Sequence, residues 1–257
     1  MIQEILALTI GKGPVASSNH FYMRPDLDPK TVSQHYFWVI MDDTAGPVVV
    51  DTGYAPECLQ EMKLSNFTYL NHPRELLNRA GIDPVDVRHV ILTHLHWDHW
   101  IGEDLYPNAT YYIHERELGY VTSSEMRFLT YARHYNFKRV EAFMRLLYQN
   151  RVHVLANDRE MIVPGIETVL FGAHTPGLMG VVCHMDGAKK IITSDVAPRY
   201  RNVAETTACG IHYDVTRALT AVEQIGAESG AIENVIPCHD PEVGAGHEVA
   251  EGVVKVA

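Results

Sequence analysis

The sequence predicts a mixed α/β layered domain. Three observations carry that expectation. Short apolar runs rich in β-branched residues recur from one end of the chain to the other. Two stretches instead place apolar residues at helical spacing. The order of these elements is too irregular for a repeating βαβ array.

The elements follow in chain order. "EILALTI" opens the chain as a strand, and "HYFWVIM" and "PVVVDTG" follow, joined by the turn-like "DDTAG". "HPRELLNRAG" predicts a short helix with Pro73 early and Gly81 at its end. "VRHVILT" and "ATYYIHE" read as further strands. Residues 115 to about 150 have neither Gly nor Pro after Gly119 and show helical spacing, which predicts a helical insert. Strands return with "VHVLAN", "IETVLFGAH", "GVVCHM" and "KKIITSD", with "MDGAKK" as a hairpin turn. "VTRALTAVEQIGAESG" is an amphipathic helix and "NVIPCHD" a last strand.

Composition narrows the function classes. The chain has 257 residues, 46% hydrophobic and 21% charged, as expected of a globular protein with a sizeable core. Its formal charge of −11 argues against a nucleic-acid partner. No apolar run approaches the roughly 20 residues needed to span a bilayer. "MIQEILALTIGKG" lacks the basic start of a signal peptide. The four cysteines (Cys58, Cys183, Cys209, Cys238) form no C-x-x-C pair, so neither a disulfide framework nor a zinc knuckle is expected, and the cytoplasm is the simplest location.

"THLHWDHWIG" is the most informative stretch. It presents His94, His96, Asp98 and His99 directly after an apolar strand. In extended chain, positions i and i+2 point the same way, so His94 and His96 can approach one metal ion together. Asp98 and His99 follow as the chain turns and can face a second ion. Imidazole and carboxylate suit Zn²⁺, the first choice, and also Fe, Mn or Co. Clustered imidazoles without a metal would repel one another when protonated. Further ligands must come from elsewhere. His174, Asp195 and His239 each lie just beyond a predicted strand, where a rigid scaffold places functional groups. Most of the 15 histidines need no special role, and His20, His72, His114, His134 and His247 are read as surface or core residues. Cys238 precedes His239 in the same run and is read as a buried structural thiol pointing the other way.

"THLHWDH", with "VVVDTG" before it and "AHTPG", "SDVA" and "PCHD" after it, resembles the metallo-β-lactamase superfamily, and within it the N-acyl-homoserine-lactonase-like hydrolases. The resemblance runs from about residue 35 to 240. It implies one domain over 1–257, folded as an αββα four-layer sandwich with two divalent metal ions at one edge of the sheets. It implies that His94, His96 and His174 hold one ion, that Asp98, His99 and His239 hold the other, that Asp195 bridges them, and that Asp51 orients a ligand. The chain departs from the family in three places. Leu178 stands where a second histidine is common after "HTPG". Pro198 stands where lactonases often carry a carbonyl-polarising tyrosine, which leaves Tyr200 as the nearest substitute. Trp100 and Ile101 replace small residues, which would narrow the pocket.

Two ions can share a hydroxide formed near neutral pH, polarise a carbonyl and stabilise its oxyanion. The expected function is hydrolysis of a lactone by attack of that metal-bound hydroxide, with Asp98 moving the proton and Tyr200 assisting. The substrate is then a small molecule, and a homodimer is compatible with the reading. The alternatives are hydrolysis of an amide, β-lactam, thioester or aryl ester at the same site, or a di-iron redox enzyme, for which the chain lacks room for a flavin domain. The insert carries six Lys/Arg against four acids. It is read either as a solvated face or as a cap, with Tyr120, Phe128, Tyr131, Tyr135 and Phe137 lining a pocket. Arg199 and Arg201 are rival anion contacts.

Overall fold

The computed structural model describes residues 1–185 and 187–257. The chain begins with β1 (Ile2–Ala16), α1 (Ser17–His20), β2 (Lys30–Asp42), β3 (Gly46–Val50), α2 (Pro56–Glu61), β4 (Thr68–Tyr69), α3 (Pro73–Arg79) and β5 (His89–Ile91). The middle holds β6 (Thr110–His114), α4 (Glu115–Val121), α5 (Leu129–Ala132), α6 (Phe137–Tyr148) and β7 (Val152–Leu155). Then come β8 (Arg159–Val163), β9 (Ile166–Leu170), β10 (Met179–Met185) and β11 (Ala188–Ser194). The chain ends with α7 (Tyr200–Ala204), α8 (Val215–Ser229), β12 (Val235–Pro237), β13 (His247–Ala250) and β14 (Val253–Lys255).

Among the described residues the strands form two sheets. The nine-stranded one runs β13-β14-β1-β2-β3-β5-β6-β7, with β4 paired to β1, and the five-stranded one runs β12-β11-β10-β9-β8. Strand alternation divides β2 between two cores. Phe37 and Val39 pack outward with Leu76, Leu77 and Phe143 of the helices. Tyr36, Trp38 and Ile40 pack inward with Val181 and Ile192 of the second sheet. A third core joins the far side of that sheet, through Val182, Ile191 and Val235, to Ala218, Val222 and Ile225 of α8. The layers are helix, sheet, sheet, helix, which is the expected αββα sandwich. No helix among the described residues is long and apolar enough to cross a membrane.

The structure adds elements to the sequence reading. The expected helical insert is built of several short segments. Ser123 accepts a hydrogen bond from the Glu125 N–H, and Asn136 one from the Lys138 N–H, so each starts a new turn. The strand β8 and the terminal hairpin β13–β14 were not expected; β13 is mostly exposed and shows no apolar alternation. The expected "MDGAKK" turn includes Asp186, which lies outside the described residues; β10 and β11 pair antiparallel up to Met185 opposite Ala188.

Strand direction positions the site. β3 and β5 run parallel, as do β11 and β12. β9 and β11 are both antiparallel to β10 and so share a direction. The C-terminal ends of these strands deliver Asp51, the 94–99 segment, His174, Asp195 and His239 to one edge of the sandwich.

Trp38 is fully buried between the sheets. Trp38→Ala is expected to reduce the unfolding free energy by about 3–5 kcal/mol in urea titration, and a loss under about 1 kcal/mol would contradict this packing.

Candidate metal centre

The chain leaves β5 and makes irregular turns that backbone bonds pin on all sides. The Asp51 N–H donates to the Ile91 carbonyl, Thr52 to His99, Met179 to Thr93 and Trp97 to His134, at 2.8–3.0 Å. These bonds hold His94, His96, Asp98 and His99 buried and inward-facing. In one group the ligating atoms of His94, His96, His174 and Asp195 lie within 4.8 Å of one another, and in a second those of His99, Asp195, Cys238 and His239 do. Asp195 belongs to both. Its Oδ2 is 3.4 Å from His94 Nε2, 3.3 Å from His174 Nε2 and 3.2 Å from His99 Nε2, and its Oδ1 is 3.0 Å from His239 Nε2. Asp98 Oδ2 lies 3.5 Å from His239 Nε2 and 3.9 Å from His99 Nε2.

The far sides of the rings decide which nitrogens face inward. His174 Nδ1 donates to the Ile211 carbonyl at 2.6 Å and His239 Nδ1 to the Gln34 carbonyl at 3.1 Å. His99 Nδ1 meets the Asp51 carboxylate at 2.7 Å. Each acceptor places the ring proton on Nδ1 and leaves an Nε2 lone pair facing the cluster. His94 Nε2 and His99 Nε2 are buried without a hydrogen-bond partner among the described residues. Lone pairs and carboxylates that converge out of water need a cation, so the donor set fits divalent metal ions.

The charge states divide the rings into two sets. Burial pushes His94 down to about 3, helped by the neighbouring His99, and lowers His96 and His174. These rings are neutral and free to ligate. Asp195 lies well below the usual carboxylate range: burial opposes its charge, and the imidazoles of His174 and His239 outweigh burial. Burial also opposes charging of His99 and His239, but Asp51 and Asp98 around the first and Asp195 around the second outweigh it, and both are raised. An ion at that subsite takes the place of those protons.

Several expected roles change. Cys238 was expected to point away, yet its Sγ lies 3.0 Å from Asp195 Oδ1. β12 ends at Pro237, so strand alternation does not carry through to Cys238 and His239. Tyr200 is not brought to the cluster. Its backbone N–H donates to Asp240, and its side chain packs against apolar cores on either side of the second sheet. Trp100 is buried in the outer core, its indole N–H donating to the Arg139 carbonyl, and does not wall the cleft. Arg199 is buried and spent on His20, Thr31 and Asp240, while Arg201 is paired with Glu205. His72 and His114 cap helices, and His20 stacks on His239. His35, outside the expected set, has its Nδ1 3.2 Å from Asp98 Oδ2.

Above the cluster opens a cleft of about 510 Å³. Val15, Met62, Leu64, Phe67, Trp97 and Ile211 make its apolar walls, and Arg133 and His134 of the insert reach its edge. Of the insert's aromatics, Tyr120 and Tyr131 line an adjoining hollow with Arg133 and His134, whereas Tyr135 and Phe137 border a separate apolar groove and Phe128 is exposed.

A family model described as the metallo-beta-lactamase superfamily matches residues 31–239. The chain belongs to that superfamily. An N-acyl homoserine lactonase from a Bacillus species is 20% identical over 245 residues, spanning 91% of this chain and 89% of the relative. A crystal structure of a quorum-quenching N-acyl homoserine lactone lactonase superposes with a TM-score of 0.74 at 17% identity, covering 94% of each chain. So does an N-acyl homoserine lactone hydrolase whose product, N-hexanoyl-L-homoserine, is bound at its catalytic metal center, with a TM-score of 0.74, 16% identity and 95% of this chain and 96% of that one covered.

As in any such site, the groups behind the ligands set metal affinity. Asp51→Asn weakens the bond that orients His99, and a 10–100-fold loss of zinc affinity in chelator competition is expected; unchanged affinity would contradict the role. Metal affinity is expected to rise with pH through neutrality, because His99 and His239 must give up protons that their carboxylate neighbours stabilise. Calorimetry in buffers of different ionisation enthalpy should register net proton release, and buffer-independent heats would exclude it.

Proposed function

We propose that this chain opens lactones at a dinuclear metal centre. The observation that carries the reading is Asp195, whose carboxylate lies between two sets of inward-facing imidazoles. His94, His96 and His174 would hold one ion, Asp98, His99 and His239 the other, and Asp195 both, with Zn²⁺ the first choice. When bound, two divalent ions supply Lewis acidity toward a carbonyl and bring the ionisation of water down to neutral pH. The protein's own groups do the rest. Asp98 lines the cleft beside His239, where it can take a proton and return it to the departing oxygen. The apolar walls accept an acyl or aromatic body and exclude water around the ester. In a cyclic ester the leaving oxygen stays tethered within reach of that proton.

The four cysteines are all free and buried, which suits a reducing compartment, so the cytoplasm is part of this reading. Residues 1–257 are one catalytic domain in this reading, because the core between the two sheets draws on strands from both halves of the chain.

Zinc-loaded protein is expected to open lactones in a panel that also holds linear esters, amides and thioesters. Fully metallated protein that leaves every lactone intact while cleaving amides or thioesters would overturn the reading. Asp98→Asn, compared at equal metal content, is expected to lose about 10²–10⁴-fold in kcat, and activity equal to the parent would remove the proton-carrying role.

A further inference from the structure

His35 has no role in the reading above, and its surroundings do not explain it. It sits near the middle of β2, on the face that also carries Phe37 and Val39, where the pattern calls for an apolar residue. Aromatic rings enclose it. Tyr54 and Phe67 meet its ring edge-on at 5.6 and 5.3 Å between centroids, and Trp97 lies at 5.4 Å. Gly11 stands opposite in the β1–β2 register, and a Cβ there would come within 2.4 Å of the Tyr54 hydroxyl, so the enclosure depends on that glycine. The remaining side of the ring faces the site, with Asp98 Oδ2 3.2 Å from Nδ1 and the His239 ring 4.6 Å away.

Neither ring nitrogen of His35 makes a hydrogen bond among the described residues, and the residue is 3% exposed. Asp98 is the carboxylate beside the ring, an ion-pair contact at 3.2 Å from Nδ1. A leucine would fill the same enclosure without stranding two polar atoms. The ligating atoms of His35, Asp98 and His239 lie within 4.8 Å of one another, the spacing that also marks the other two ligand groups.

We infer that His35 is a ligand of the second metal subsite, joining Asp98, His99 and His239. The inference rests on the dinuclear reading. It gives that subsite one more imidazole than the family resemblance implies. Imidazole favours Zn²⁺, Co²⁺ and Fe over the harder ions, so the added nitrogen biases the subsite toward them.

The test is a Co²⁺ titration of the chelator-stripped full-length protein, comparing wild type, His35→Ala and His35→Gln. Absorption of the bound cobalt is the readout, with chelator competition giving each affinity. Wild type is expected to take two equivalents. Both variants should bind the first with unchanged affinity and the second at least about tenfold more weakly, with an altered visible spectrum, since even residues behind ligands cost 10–100-fold. Glutamine keeps an N–H donor for Asp98, so second-ion binding with wild-type affinity and spectrum in His35→Gln overturns ligation while leaving the dinuclear function intact. A wild type that binds only one ion overturns both. Should the variants fail to fold, ¹¹³Cd-loaded wild type decides: a cadmium–nitrogen coupling at the His35 ring supports ligation. Couplings at His99 and His239 without one at His35 overturn it.

Discussion

One buried carboxylate holds the site edge together. Asp51 accepts from the Thr93 backbone N–H at 2.8 Å and from the Thr93 hydroxyl, and it meets His99 Nδ1 at 2.7 Å. The Thr93 hydroxyl also meets Ser194 Oγ at 2.8 Å, and Ser194 immediately precedes Asp195. A single network therefore ties the end of β3, the loop after β5 and the end of β11, which belong to different sheets. Its backbone is strained. Asp51 and Ser194 sit at φ of 59° and 48°, in the left-handed region that residues with a Cβ rarely occupy. Such positions cost of order 1–3 kcal/mol each and persist only where the surroundings over-determine them. Burial pushes the Asp51 carboxyl up, and its contacts with His99 and Thr93 resist that push. This network ties the ligand-bearing segments to the scaffold of both sheets.

The parts of this site written in local sequence were legible, and the parts made by tertiary approach were not. His94, His96, Asp98 and His99 announce themselves because four donors follow an apolar strand without a break. His174, Asp195 and His239 were legible because strand direction sends all three to one edge. His35 was hidden inside "HYFWVIM", which reads as an ordinary apolar strand, and only the turn of the 94–99 segment brings Asp98 to it. Cys238 was misplaced because strand alternation was extended past Pro237. Tyr200 and Arg199 were drawn toward the site by their closeness to Asp195 in sequence, but the chain turns into α7 there and directs them into the core and onto Asp240. The layered fold followed from strand and helix patterns, whereas β13 and β14 did not, since exposed short strands carry little periodic signal.

The two halves of the centre differ electrostatically, and the difference comes from what stands behind each ring. His94, His96 and His174 are neutral because burial dominates and the neighbouring imidazoles add to it. His174 rests on a backbone carbonyl, and His94 on a hydroxyl. Neither backing group carries a full charge. His99 rests on Asp51, so its proton is stabilised from behind as well as from the cluster. On the dinuclear reading, a first ion would enter the neutral half without displacing protons. A second would have to displace them, and the Asp51 carboxylate that raised that barrier would then make His99 a stronger donor once the proton had gone.

That order bears on the cleft as well. Its floor is polar and its walls largely apolar, with Trp97 common to both. The Trp97 indole lies 5.4 Å from the His35 ring, and its backbone N–H donates to the His134 carbonyl in the insert. The neighbouring His96 and His134 rings lie 5.2 Å apart. The insert is therefore anchored directly to the ligand-bearing segment. The segment proposed to hold metal and carry the proton therefore also supports the wall of the cleft.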